Sequence, residues 1–235
     1  MHVKHGVPDA IITGDFMIFK AYDLLADHAE NLSPSQLQML LKIVGETGQK
    51  CCHGQSLDME LARERRYASM SEYLRMIELK TGSLIEGAVQ SGAVLGESSP
   101  DQRATVARMG RQLGMAFQII DDSLDLVGAH ANKSVKNDLK QAKATPMLIH
   151  ALAKAHEAEK ARILGAIGNS RLSVGAAAEI VDIYRRCGAI QTAQQLSRNY
   201  VDQARSALPS LPDTSARDRF RDILDVLGYW GMLSD

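Results

Sequence analysis

Gly114-Met115-Ala116-Phe117-Gln118-Ile119-Ile120-Asp121-Asp122-Ser123-Leu124-Asp125-Leu126-Val127 is the stretch on which the reading of this chain turns. On a helix, Asp121 and Asp125 stand one turn apart and Gln118 one turn before Asp121, so three carboxylates and an amide gather on one side of an otherwise apolar helix. Like charges at that spacing repel. No basic residue lies nearby to relieve them, and clustered carboxylate oxygens suit a hard cation such as Mg²⁺. An exposed acidic helix end near Gly128 would tolerate the same residues, so both readings stand until the flanking sequence is considered.

Downstream, Lys133, Lys136, Lys140 and Lys143 follow closely, with Asp138 among them. Magnesium held by two carboxylates keeps its remaining positions for water and substrate phosphate, and lysines serve such phosphates as point charges. Upstream, Lys80-Thr81-Gly82 places an ammonium and a hydroxyl inside an apolar helix, where they are costly unless used. The alternative for Lys80 is a side chain that reaches past the helix edge to water. A Mg²⁺-diphosphate site fits the combined pattern.

The remainder of the chain supports a helical frame for these residues. Its 235 residues, 45% hydrophobic and 23% charged, predict a single globular domain over 1–235 and exclude disorder and a disulfide scaffold. With 27 basic against 28 acidic residues the net charge is -1, so no overall field favours nucleic acid or an anionic membrane. Aromatic residues make up only 5%, and the abundance of Ala, Leu, Met and Gln predicts an all-α fold. Cys51, Cys52 and Cys187 form an odd set, pointing to a reducing, cytoplasmic setting. The histidines fall singly, without a zinc pattern. No apolar stretch approaches the roughly 18 residues of a membrane span, and the first residues carry no signal core.

Ser33-Pro34, Ser99-Pro100 and Thr145-Pro146 each place a hydroxyl cap before a proline at the first helical position, marking three helix starts. With the apolar period, they predict helices near 9–29, 34–66, 72–95, 100–128, 146–168, 173–187, 189–208 and 214–230. Glycines inside these helices (Gly45, Gly48, Gly54, Gly82, Gly87, Gly92) each cost roughly 1 kcal/mol against Ala. Close helix packing or approach to a ligand is the expected compensation.

Taken in order, these stretches resemble the trans-isoprenyl diphosphate synthases, the polyprenyl synthetase family. Phe117-Gln118-x-x-Asp121-Asp122-x-x-Asp125 is similar to the family's second aspartate-rich motif. Lys133-x-x-x-x-Asp138-Leu139 with Lys143-x-Thr145 is similar to the segment that follows it. Lys80-Thr81, Gly54-Gln55-x-x-Asp58 and the opening His2-Val3-Lys4-x-Gly6-Val7-Pro8-x-Ala10-Ile11 with Gly14-Asp15 complete the likeness. Two departures accompany it. The family's first aspartate-rich motif, its paired arginines and its Gly-Lys-Arg-type stretch are not found. Positions that the family fills with glycine carry Asn132, Lys136 and Ala142, and Pro146 directly follows Thr145.

The resemblance implies an antiparallel helical bundle of the isoprenoid-synthase type, with its N-terminal part lacking. It implies a Mg²⁺-dependent condensation of an allylic prenyl diphosphate with isopentenyl diphosphate. Asp121, Asp122 and Asp125 would hold the metal. Lys80, Thr81, Gln118, Lys133 and Lys143 would contact the allylic diphosphate or position the cluster. The family's habit of pairing implies a homodimer or a heteromer, for which Phe16, Ile18 and Phe19 are candidates, although burial within the bundle would explain them equally well. Three expectations cover the missing first motif: a sequence lacking its N-terminal part, a subunit whose partner supplies that motif, or a catalytically silent protein that binds prenyl diphosphate.

Overall fold

In a computed structural model, the structure describes residues 1–64, 67–124 and 137–230, and these contain helices, turns and no strand. The helices are α1 (His2–His5), α2 (Val7–Asp27), α3 (Pro34–Glu64), α4 (Met70–Ile77), α5 (Ser83–Leu95), α6 (Pro100–Leu124), α7 (Pro146–Lys154), α8 (Glu157–Ala166), α9 (Val174–Arg186), α10 (Ala189–Ser206) and α11 (Ser215–Trp230). A π-helical turn, Glu78–Gly82, joins α4 to α5.

All three hydroxyl-proline starts form as the sequence predicts. Ser33 Oγ accepts from the Gln36 amide at 3.2 Å and Ser99 Oγ from the Gln102 amide at 3.2 Å, while each glutamine side chain accepts from the serine backbone at 2.9 Å. Thr145 Oγ1 accepts from the Leu148 amide at 3.3 Å. These caps, reciprocal at Ser33 and Ser99, satisfy amides that the first turn of a helix leaves without partners.

Elsewhere the helices differ from the sequence reading. The expected helix 72–95 is interrupted by the π turn, and 146–168 breaks at Ala155, whose extended backbone (ψ 160°) separates α7 from α8. Glu159 accepts from the His156 backbone at 3.3 Å and so opens α8. The expected helix end at 128 falls outside the described residues, as do Arg65 and Arg66, the last residues of the expected helix 34–66.

α6 is the central rod, packing most extensively against α5 and α10. Met115 and Ile119 join Tyr73, Met76 and Ile77 of α4 with Met147, Ile163, Ile180 and Ile183 in one apolar cluster. Met109, Leu113 and Ala116 join Val201, Ala204 and Leu224 in another. α6 therefore buries two faces, and beyond Asp101 in its first turn its carboxylates gather at the C-terminal end. Between α5 and α6 a forked ion pair adds direction: Arg111 donates from Nε and Nη2 to the two oxygens of Glu86 at 2.9 and 2.7 Å. Glu86 is buried, so the fork compensates a charge that would otherwise be costly to desolvate.

The internal glycines divide into two groups. A β-carbon at Gly54 would fall 2.4 Å from the Lys80 backbone nitrogen, one at Gly114 2.6 Å from the Gly82 α-carbon, and one at Gly87 2.3 Å from Thr47 Oγ1. Gly54 and Gly114 let backbones touch, and Gly87 makes room for the Thr47 side chain. Gly48 and Gly92 meet nothing within 4 Å, and no packing reason accounts for them.

α2 buries none of its residues. Phe16 is 66% exposed, Ile18 55% and Phe19 73%. Burial within this chain's own bundle, one of the two explanations for these side chains, is therefore not what the structure shows.

Candidate active site

The C-terminal end of α6 meets α4 and the π turn, and α3 packs against the other side of that turn. A π-helical turn carries an extra residue per turn and recurs at functional sites; here it contains Lys80 and Thr81. Gly54 on one side and Gly114 on the other allow this wider turn to nest between α3 and α6. Lys80 Nζ lies 2.6 Å from Asp58 Oδ2 of α3, its side chain 36% exposed. Lys80 is thus anchored by a carboxylate at the helix edge, one end still open to solvent.

Thr81 Oγ1 donates to Gln118 Oε1 at 2.7 Å. The amide nitrogen of Gln118 donates to Asp122 Oδ1 at 3.0 Å and makes a longer contact, 3.5 Å, with Asp121 Oδ2. From the opposite side, the hydroxyl of Tyr73 donates to Asp122 Oδ2 at 2.5 Å. The two neighbouring aspartates consequently differ: Asp121 is exposed, whereas Asp122 is partly buried with both oxygens engaged. Burial pushes the Asp122 carboxyl up to about 7, against the hydrogen bonds from Tyr73 and Gln118, with Asp138 and Asp121 adding repulsion.

Lys143 approaches from the loop after 137–140 and pairs with Asp138 at 3.1 Å. Burial works against its ammonium, but Asp138, with help from Asp122 and Asp58, holds its pKa above the usual lysine value. The loop is shaped by a helix-ending motif in which the Lys143 amide bonds the Asp138 carbonyl at 3.0 Å and the Ala142 amide the Leu139 carbonyl at 3.1 Å. Ala142 occupies its left-handed position, φ 54°.

The structure therefore brings together Lys80, Thr81, Gln118, Asp121 and Asp122, with Lys143 electrostatically linked to them. Asp125 and Lys133 lie outside the described residues. Among the described residues no three carboxylate, imidazole or thiol side chains gather as a closed metal cage. The donors present are nevertheless hard oxygens, and Asp121 has lone pairs uncommitted beyond one long contact. They fit Mg²⁺, which favours one or two carboxylates plus water and phosphate over an all-protein cage.

The sequence profile of the polyprenyl synthetase family matches residues 1–184. The chain belongs to the polyprenyl synthetase family. It is 33% identical to the short chain isoprenyl diphosphate synthase of Methanothermobacter thermautotrophicus, over 97% of this chain and 69% of that relative. The crystal structure of geranylgeranyl pyrophosphate synthetase from Pyrococcus horikoshii superposes with a TM-score of 0.86 at 27% identity, covering 99% of this chain and 69% of that one. The polyprenyl synthase of Caulobacter crescentus, solved with calcium and isoprenyl diphosphate, gives 0.84 at 25% identity over 97% of this chain and 67% of its own.

Within this member of the polyprenyl synthetase family, sequence reasoning missed Tyr73 and used Asp58 and Asp138 only as landmarks. Asp58 and Asp138 could have been found as the counter-charges that Lys80 and Lys143 need. Tyr73 had no comparable signal, since its partner lies 49 residues away.

Proposed function

We propose that this chain acts as a trans-prenyltransferase, condensing an allylic prenyl diphosphate with isopentenyl diphosphate in isoprenoid biosynthesis. The observation that carries this reading is the meeting of Lys80, Thr81 and Gln118 with Asp121 and Asp122 at one helix end, linked by the 2.7 Å Thr81–Gln118 and 3.0 Å Gln118–Asp122 hydrogen bonds. Family membership supports it.

In the reaction, the allylic carbon–oxygen bond breaks and its electron pair leaves with the diphosphate. The double bond of isopentenyl diphosphate attacks the resulting carbocation, forming a carbon–carbon bond, and a proton departs to restore an alkene. Products are a longer allylic diphosphate, inorganic diphosphate and a proton. The demand on the protein is therefore to stabilise negative charge on the leaving group. Asp121 and Asp125 would hold Mg²⁺, with Asp122 contributing directly or through water, and the metal when bound supplies Lewis-acid stabilisation of that charge. Lys80, Lys133 and Lys143 bring ammonium groups to the diphosphate. Thr81 and Gln118 orient the aspartate stretch and offer hydrogen bonds to phosphate oxygens. Asp58 keeps Lys80 directed while leaving part of its side chain open.

The reading includes a cytoplasmic setting, which three free thiols suit; among the described residues no helix is long and apolar enough to cross a membrane. It also includes assembly as a homodimer or a heteromer, supported by the exposed apolar side chains of α2.

Incubation of the chain with Mg²⁺, an allylic diphosphate and labelled isopentenyl diphosphate is expected to give a longer prenyl product. Diphosphate binding without turnover would favour a subunit that needs a partner. Calorimetry provides the site test: Asp121→Ala and Asp125→Ala should abolish Mg²⁺-dependent diphosphate binding and Cys52→Ala should not. Unchanged binding in both aspartate variants would overturn the site.

A further inference from the structure

Tyr73 lies on α4, five residues before the π turn begins, and has no exposed surface. Its ring packs into the main apolar cluster, but a buried phenol still needs a partner for its hydroxyl, since an unmet donor retains its full desolvation cost. That partner is Asp122 Oδ2, at 2.5 Å. The second oxygen of Asp122 accepts from Gln118 Nε2 at 3.0 Å, and Gln118 in turn accepts from Thr81 at 2.7 Å. One continuous set of bonds thus runs from α4 through the last turn of α6 to the π turn. Asp122, caught between donors on two sides, is poorly disposed to swing outward. Its neighbour Asp121, one residue earlier and about 100° around the helix, faces solvent.

We propose that Tyr73 is a positioning residue for the aspartate stretch: through Asp122 its hydroxyl sets the rotation of the last turn of α6, so that Asp121 meets the cation and Gln118 stays with Thr81. This rests on the prenyltransferase reading above. Tyr73 touches neither metal nor substrate in this role; it acts through a carboxylate. Groups around a metal site that orient its ligands typically change metal affinity by 10–100-fold when removed.

Tyr73→Phe keeps the ring and deletes only the hydroxyl, which isolates the proposed bond. Wild type, Tyr73→Phe, Asp122→Asn and the double variant are titrated with Mn²⁺ in the presence of inorganic diphosphate, uptake being followed by electron paramagnetic resonance and calorimetry. Tyr73→Phe is expected to weaken Mn²⁺-diphosphate uptake about 10-fold with an unchanged far-ultraviolet dichroism spectrum. In the Asp122→Asn background the same change should have almost no further effect, because the two residues act as one unit. Hydrogen exchange gives a second readout: amides of 121–124 should exchange faster in Tyr73→Phe, while those of 109–116 keep wild-type rates.

Unaltered uptake in Tyr73→Phe, full additivity with Asp122→Asn, or uniformly faster exchange along α6 would each overturn the positioning role. A wild-type chain that takes up no Mn²⁺ with diphosphate would instead overturn the functional reading beneath it.

Discussion

Gly54 and Lys80 are in backbone contact: a β-carbon on the first would stand 2.4 Å from the main-chain nitrogen of the second and 2.7 Å from its α-carbon. The obstacle is backbone, so it cannot yield by a rotamer change. Gly54→Ala is therefore expected to push the π turn off α3, lengthening the Lys80–Asp58 pair and lowering stability by about 1–3 kcal/mol, the usual cost of overpacking. Urea unfolding measures the loss, and diphosphate affinity should fall with it. Gly48→Ala, where the structure offers open space, should stabilise α3 by about 0.5–1 kcal/mol. Equal effects at the two glycines would contradict the contact.

Ala142 holds a left-handed backbone, φ 54°, at the turn leading to Lys143. An L-residue there costs roughly 1 kcal/mol relative to glycine. Ala142→Gly should therefore raise the thermal midpoint, by a few degrees for a chain of this size. A lowered midpoint would show that the alanine methyl compensates by packing.

The Glu86–Arg111 fork joins α5 to α6 with a buried carboxylate on one side. Arg111→Leu leaves Glu86 without its forked partner and should cost about 2 kcal/mol. This is less than the roughly 3–5 kcal/mol of a fully buried pair, because the arginine side chain is 39% exposed. Arg111→Lys should recover only part of the loss, since one ammonium cannot reproduce two parallel bonds. Denaturant midpoints of the three proteins decide the order.

What the sequence made legible was local. Ser33, Ser99 and Thr145 announce helix starts because a cap is a contact over three residues, and all three form. Asp121, Gln118, Lys80 and Thr81 were legible because each is a polar group in an apolar setting. The break at Ala155 was hidden by the charged run from Lys154 to Arg162, which reads as a continuous solvated face even though Glu159 caps a new helix. The π turn has no composition of its own; it follows from how α3 and α6 press on residues 78–82. Tyr73 gave no signal in the sequence: only its distant partner separates a packed ring from a hydroxyl with a task. The exposure of α2 was beyond reach for a different reason, because its apolar residues say that something covers them without saying what.

One residue of surplus in Glu78–Gly82 also sets the phase of everything after it. Because the π turn adds a residue to the helical count, α4 and α5 follow one another without sharing a common angular register. The inward side of α4 carries Tyr73, Met76 and Ile77, while that of α5 carries Glu86 and Gly87. Deleting a single residue between 78 and 82 would convert the turn to ordinary helix and rotate α5 by about 100°. Glu86 would then leave Arg111, and Gly87 would leave Thr47. The turn behaves as a gear tooth between the segment that steadies the aspartates and the segment that locks onto the central rod, so its number of residues, rather than its composition, is what this stretch must preserve.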